Sequence, residues 1–388
     1  MRFAERMSRL GTETAFEVLA RAKALEAQGR EIVHLEIGEP DFDTPANIIE
    51  AAVKALRSGA THYTPSAGIP PLRQVVASQI AETRRIPVKP ENVVIVPGGK
   101  PIIFFTILAL VNEGDEVIYP NPGFPIYESM INFVGAKAVP VPLLEENNFG
   151  FDLDVLRKRI NERTRLVIIN SPQNPTGGVL SADELKEIAS LVQQYDDCYV
   201  LADEIYGHIL YEGEFASIAS LPGMQERTII LDGFSKTYAM TGWRLGYGVM
   251  PEALATLEAR LMTNSNSCTA TFTQMAGVEG LTGPQGDAHK MVEEFRRRRD
   301  IIVAGLNAIP RVSCLKPAGA FYVFPNVKKF GRPAKQIADY LLQEAGVAAL
   351  AGTAFGEYGE GYLRLSYANS VENIQKALKW MEAALAKL

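Results

Sequence analysis

Short runs of β-branched and apolar residues alternate with longer helical patterns through the middle of this chain. That alternation constrains the fold more than any other feature. Asn92 to Val96, Glu116 to Tyr119, Leu166 to Asn170, Cys198 to Asp203, Thr228 to Asp232 and Leu245 to Val249 read as strands. Pro101 to Val111, Phe124 to Phe133 and a segment opening at Ser181 read as helices between them. Ser181-Ala-Asp-Glu184 is a capping box, in which hydroxyl and carboxylate each satisfy an otherwise unpaired amide, and its helix runs to about Gln194. Strands alternating with helices predict a mainly parallel sheet covered on both faces, an α/β architecture. The 388 residues, 47% apolar and 22% charged, are enough for two or three cores and exclude disorder as the main state.

The pattern changes beyond Pro251. A long helical region reaches Leu306, and Val312 to Leu315, Phe321 to Phe324 and Tyr362 to Tyr367 read as short strands among helices. This predicts a smaller α+β domain. An N-terminal helix, about Thr14 to Gln28, is expected to join it. The small domain would then be discontinuous, residues 1–46 and 286–388, around a large domain of residues 47–285. The basic run Arg296 to Arg299, flanked by Glu293, Glu294 and Asp300, reads as a solvated helix face, with one arginine able to face a site. A net charge of −6 and no basic stripe argue against a nucleic-acid partner. Cys198, Cys268 and Cys314 are far apart and form no CxxC, which fits a reducing cytosol. The first residues carry charges and no apolar leader, and the apolar stretch Ile102 to Val111 is about half of what spans a bilayer. His34, His62, His208 and His289 have no ligand spacing, so no metal site is expected.

In parallel α/β sheets, ligands sit beyond the carboxyl ends of the strands. The strand ending at Val96 delivers Pro97-Gly98-Gly99-Lys100 there, and the strand ending at Tyr119 delivers Pro120-Asn121-Pro122-Gly123-Phe124. The next two deliver the Asn174-Pro175-Thr176-Gly177 segment and Asp203-Glu204-Ile205-Tyr206. The strand ending at Asp232 delivers Gly233-Phe234-Ser235-Lys236, with Arg244 following. One sheet edge thus collects an acid, an amide, a phenol, an amine, a guanidinium and a glycine-rich helix start. The glycine pair before Lys100 fits an anion site, because free amides and the helix dipole point outward there. It is not a Walker A loop, and no GxGxxG follows the first strand, which argues against a nicotinamide dehydrogenase.

The segment Gly233-Phe-Ser-Lys236-Thr-Tyr-Ala-Met-Thr-Gly242-Trp-Arg244-Leu-Gly246 resembles the cofactor-attachment segment of the class I/II pyridoxal-phosphate-dependent aminotransferases. Asn174-Pro-Thr-Gly177, Asp203-Glu-Ile-Tyr206, Gly38-Glu-Pro-Asp-Phe42, Tyr63-Thr-Pro and Leu363-Arg364-Leu-Ser366 resemble further motifs of that family, in family order, from about residue 10 to 385. The resemblance implies a fold-type-I transferase with a seven-stranded, mainly parallel sheet. It also implies a homodimer with shared sites, acting on amino acids and 2-oxo acids, which with the cysteine pattern gives a cytoplasmic enzyme as the expectation.

Residue chemistry and family roles agree. Lys236 offers the amine for pyridoxal phosphate and can shuttle the substrate Cα proton. Asp203 can hold the proton on the cofactor ring nitrogen, while Asn174 and Tyr206 donate to the ring oxygen. Arg244, Ser235, the Gly98-Gly99-Lys100 amides and Tyr63 of the partner subunit would hold the phosphate, and Phe124 would stack on the ring. Arg364, aided by Gly38 and Asn174, resembles the clamp for the α-carboxylate, gripped through two parallel bonds. The sequence is most similar to the prokaryotic-type aspartate aminotransferases, in which the lysine at the Lys100 position meets the distal carboxylate of acidic substrates. That favours aspartate or glutamate as donor and 2-oxoglutarate as acceptor. Phe16, Phe124 and Tyr127 keep an aromatic or small neutral donor as the alternative. A non-catalytic cofactor-binding regulator is a weaker reading, since a DNA-binding module would be expected ahead of the resemblance. Two departures stand out: Gly233 replaces a serine found in some relatives, and no residue is assignable as a cross-subunit arginine for dicarboxylates.

Overall fold

The computed structural model describes every residue, Met1–Leu388. Helix α1 (Thr14–Glu26) and the short strand β1 (Val33–His34) lead into α2 (Ala46–Arg57) and α3 (Pro70–Arg84). The central sheet follows, built from β2 (Val93–Val96), β3 (Glu116–Asn121), β4 (Lys137–Pro142), β5 (Thr164–Asn170), β6 (Tyr199–Asp203), β7 (Thr228–Gly233) and β8 (Gly246–Val249). Helices α4 (Lys100–Leu110), α5 (Ile126–Phe133), α6 (Leu153–Arg159) and α7 (Ala182–Val192) connect its strands. The seven strands lie in the order β2-β8-β7-β6-β5-β3-β4, and only β8 runs antiparallel to its neighbours. The fold is thus the mainly parallel sheet that the strand–helix alternation predicts. In α7 the capping box forms: Ser181 Oγ accepts from the Glu184 amide at 3.2 Å, and the Glu184 carboxylate accepts from the Ser181 amide at 2.8 Å. Strand β4 has no counterpart among the expected strands. Its Pro140 and Pro142 break the strand pattern, and they are tolerated because β4 is an edge strand paired only with β3.

Register explains how distant residues reach one edge. Asn170 at the end of β5 lies opposite Asp203 at the end of β6, and Asp203 in turn lies opposite Leu231 of β7. Gly246 at the start of β8 pairs with both Gly233 of β7 and Val96 of β2. The antiparallel strand therefore begins where the parallel strands end. Arg244, just ahead of β8, arrives beside the residues delivered by β2, β5, β6 and β7.

The rest of the chain comprises α8 (Glu252–Ser265), α9 (Thr271–Thr282), α10 (Gly286–Ala308), β9 (Tyr322–Val323), α11 (Ala334–Tyr340), β10 (Val347–Ala348), β11 (Leu350–Ala351), β12 (Leu363–Ser366) and α12 (Val371–Leu385). Strands β11, β12 and β9 form an antiparallel sheet, and β1 pairs in parallel with β10. Val312 to Leu315 forms no strand; it contributes only an isolated bridge from Ser313 to Asn326. One apolar core joins Val33 and Leu35 to residues between Phe295 and Leu385, and another packs Ala22 and Leu25 of α1 against Ile32, Leu342 and Ala348.

The basic run in α10 is not one solvated face. Successive helical residues turn by about 100°, so four in a row point around most of the circumference. Arg297 stays exposed, whereas Arg298 and Arg299 are buried. Arg298 pairs with Asp41 at 2.6 Å and lies 4.8 Å over the Phe42 ring, bracing the loop that follows Gly38. Arg299 lies 4.7 Å over the Tyr211 ring and donates to the Pro317 carbonyl at 3.1 Å.

Candidate active site

The carboxyl edge of the sheet opens into a cavity of about 830 Å³, within the usual size range of small-molecule sites. Lys236, three residues past the end of β7, lies on its floor, and its Nζ donates to the Gly38 carbonyl at 2.7 Å. Burial pushes the Lys236 amine down to about 8; Glu39 opposes the shift, and the charges of Arg244, Arg364 and Lys100 add to it. A large fraction of this amine is neutral, and hence nucleophilic and basic, near pH 8.

Asp203 ends β6 and is buried against the same space. The Tyr127 hydroxyl donates to it at 2.5 Å and the Ile205 amide at 3.3 Å. Neither donor is a cation. Burial raises the carboxyl to about 6 against the pull of those two bonds. Asn170 ties the neighbouring strand end together, donating to the Asp203 carbonyl at 2.9 Å and accepting from the Asn174 amide at 3.0 Å. The side-chain oxygen of Asn174 is buried without a partner. The Tyr206 hydroxyl is 2.7 Å from that of Tyr322, and the two rings meet edge to face.

At one end of the cavity, Gly98 adopts φ +83°, and a Cβ there would fall 2.0 Å from Arg244 Nη2. Only glycine allows the turn and the arginine to share that space. Gly99 is the N-cap of α4, next to the Gly98 turn against Arg244, whose Nη1 donates to the Thr241 carbonyl at 2.7 Å. Ser235 is buried and lines the same cavity. At the other end, Arg364 from β12 is buried, with Nη2 on the Glu36 carbonyl and Nε unpartnered. Its guanidinium lies 4.7 Å over the Tyr322 ring and 5.3 Å over that of Phe355. A Cβ on Gly38 would fall 2.3 Å from the Tyr322 hydroxyl and 3.2 Å from Arg364 Nη1, so the glycine keeps the clamp open.

The structure therefore brings Gly38, Asn174, Asp203, Tyr206, Lys236 and Arg364 around one space, with the Gly98, Gly99, Ser235 and Arg244 cradle at its side. Phe124 lines it as well. Lys100 also lines it, but its ammonium forms an ion pair with Glu13 and sits 5.5 Å from the Phe124 ring centre. Tyr63 is 87% exposed and does not line the cavity of its own chain. Tyr127, expected as an aromatic wall, is instead fully buried behind the cavity, with its hydroxyl committed to Asp203. Asn170, Tyr322 and Glu13 were not anticipated. Asn170 and Tyr322 are strand residues that read as core, and Glu13 precedes a helix far away in sequence.

The pattern described as aminotransferase class I and II matches residues 30–380. The chain belongs to that family. It is a pyridoxal-phosphate-dependent aminotransferase. It is 40% identical to an aspartate aminotransferase of Pyrococcus horikoshii, over 98% of this chain and 97% of that protein. It is 41% identical to aromatic-amino-acid aminotransferase 2 of Thermococcus litoralis, over 92% and 93%. Among solved structures, the Thermus thermophilus aspartate aminotransferase with maleate superposes with a TM-score of 0.94 at 38% identity, covering 99% of this chain and all of that one. The aminotransferase cavity fits the cofactor that the family implies. It has a buried acid served only by neutral donors and a glycine cradle closed by an arginine. No helix is long and apolar enough to cross a membrane.

Proposed function

We propose that this aminotransferase transfers the α-amino group of an amino acid, aspartate or glutamate foremost, to a 2-oxo acid such as 2-oxoglutarate, in two half-reactions at one site. One observation carries the reading: a single cavity holds both the Lys236 amine, depressed to about 8, and the buried Arg364 guanidinium with Nε unpartnered. Pyridoxal phosphate, when bound, contributes an electron sink that makes the substrate Cα–H acidic. Lys236 anchors the cofactor and carries the Cα proton. Asp203 holds a proton on the ring nitrogen, and Asn174 and Tyr206 hydrogen-bond the ring oxygen. The Gly98-Gly99-Lys100 amides, Ser235 and Arg244 hold the phosphate, and Phe124 covers the ring. Arg364, with Gly38 and Asn174, orients the substrate carboxylate.

Lys100 tests the donor class. A charge-assisted bond to a distal carboxylate is worth roughly 1.5–3 kcal/mol, or about ten- to a hundredfold in kcat/KM. Lys100→Ala should lower kcat/KM by that factor for aspartate and glutamate and far less for alanine and phenylalanine. Equal losses across the four donors would remove the acidic-donor reading. An aromatic donor is the second reading, favoured by Phe16, which lines the cavity yet is 61% exposed.

The active unit is proposed to be a homodimer. Tyr63 is exposed outside its own cavity, and the exposed Ile49 and Leu56 line a groove with Trp243 and Phe272 that runs beside Arg244. Heterodimers of Lys236→Ala and Tyr63→Phe subunits test the sharing. If Tyr63 crosses to the partner, one site per heterodimer carries both lesions and the other neither, so about half of wild-type activity returns. If it serves its own chain, every site carries one lesion and no intact site forms. The three scattered free cysteines support a cytoplasmic location. The core joining Val33 and Leu35 to residues 295–385, into which Tyr206, Ile209 and Tyr211 also pack, supports a small domain of residues 1–46 and 286–388 around a large one of residues 47–285.

A further inference from the structure

Glu13 is the one acidic side chain brought onto Lys100, and it comes from the residue that opens α1. It lines the cavity together with Phe16 and Leu19 of the same helix, and its charge acts on the Arg364 guanidinium and on Tyr322 as well as on Lys100. A dicarboxylic substrate held by Arg364 would direct its second carboxylate at Lys100. The Glu13 carboxylate is already paired with that ammonium. Its attachment differs on the two sides. The second half of α1 is fixed by Ala22 and Leu25 in a core, by Arg21 on Asp339 at 2.6 Å, and by Glu26 on His34 at 3.0 Å. No residue from Gly11 to Leu19 is buried. That stretch is tied down by the Gly11 amide on Ser129 Oγ at 2.9 Å and, just before it, by Arg9 on the Asn132 carbonyl at 2.9 Å. The element carrying Glu13 is thus anchored at its far end and lightly held at the cavity.

We propose that Glu13 is a specificity residue, a built-in carboxylate that neutralises Lys100 when the substrate side chain is uncharged and that an acidic side chain must displace. The proposal rests on the reading of Lys100 as the distal-carboxylate contact, and it adds that this contact is contested from within the chain. With an apolar side chain in the cavity, the Glu13–Lys100 pair leaves no lone cation beside it, and Phe16 and Leu19 close over the apolar group. With an acidic side chain, one ion pair is exchanged for another and two carboxylates compete for one ammonium. A single chain then accepts both donor classes, at the cost of weaker binding of the acidic one.

The test uses the cofactor-loaded enzyme and two unreactive acids, succinate and 3-phenylpropionate, with Kd measured by titration calorimetry alongside kcat/KM for aspartate and phenylalanine. Glu13→Gln keeps the side-chain size and removes the charge. It should tighten succinate roughly tenfold, the lower bound for a charge-assisted bond regained by the ligand, and raise kcat/KM for aspartate by a similar factor. Binding of 3-phenylpropionate and kcat/KM for phenylalanine should not improve. In a Lys100→Ala background the same replacement should leave the succinate Kd unchanged, because the contested ammonium is gone. If Lys100→Ala alone discriminates between the two acids but Glu13→Gln does not shift their ratio, the role of Glu13 is refuted while Lys100 keeps its own. If Glu13→Gln tightens succinate equally without Lys100, the residue merely repels anions and the exchange is refuted. If Lys100→Ala weakens both acids equally, the reading of Lys100 fails and this proposal falls with it.

Discussion

Lys236→Ala should lower steady-state turnover by at least about 10⁴-fold, since positioned proton transfer alone contributes about 10²–10⁴ and the anchoring amine is lost as well. No other amine can replace it. Lys100 is paired with Glu13, Lys23 is paired with Glu26 at 2.8 Å, and Arg244 and Arg364 are guanidinium ions that stay protonated. The cofactor should remain bound non-covalently through the Gly98 cradle, Arg244 and Asp203, which equilibrium dialysis would register. Stability should change with pH. The amine, at about 8 in the folded chain against an ordinary 10.5, is depressed by folding. A depressed lysine destabilises the folded state fully below its folded value, and that cost fades as pH climbs through the window from 8 to 10.5. The melting temperature of cofactor-free Lys236→Ala relative to wild type should therefore fall as pH rises from 7 toward 10. Near-wild-type turnover in the variant would eliminate Lys236 as the reactive amine, and a melting difference that stayed constant from pH 7 to pH 10 would contradict its depressed state.

What the sequence disclosed of the fold follows from how directly each segment encodes its own environment. Strands β2, β5, β6 and β7 are apolar on both faces and fall where the β-branched runs lie. Strand β4 is concealed by two prolines that only an edge position accommodates. The strands in the C-terminal part are only two to four residues long, too short for periodicity to fix their limits, and residues 312–315 never pair as a strand. The site was legible wherever a motif sits at a strand end, because the register of a parallel sheet carries strand ends to one edge regardless of sequence distance. Contacts between segments were not legible. Tyr127 under Asp203, Tyr322 against Tyr206 and Glu13 on Lys100 depend on how helices and the β9–β12 layer dock onto the sheet. The split fate of Arg296 to Arg299 is different: 100° of helical rotation per residue already forbids one shared face, so that error was correctable from the sequence.

Asp203→Asn should slow cleavage of the substrate Cα–H bond by about 10²–10³-fold, the usual loss when one preorganised charged or hydrogen-bonding group is removed from a water-poor site. The carboxylate is buried, and with a carboxyl at about 6 it is mostly anionic at neutral pH although burial works against the charge. The chain satisfies that anion only with the Tyr127 hydroxyl and the Ile205 amide. A buried anion without a cation is costly by itself. On the proposed role, a protonated ring nitrogen of the bound cofactor would complete the pair and offset that cost, and Asp203 would hold the proton there. Asparagine preserves the shape and can still accept from Tyr127, so the fold and the phosphate cradle of Gly98, Ser235 and Arg244 are untouched. Cofactor affinity should consequently change far less than rate. Mixing the loaded variant with α-deuterated and ordinary aspartate in a single turnover separates the two effects: a slowed step with a full isotope effect marks Cα–H cleavage as the one Asp203 accelerates. A single-turnover rate equal to wild type would mean that the buried acid is structural, held by Tyr127 and Ile205 to seal the sheet edge and nothing more.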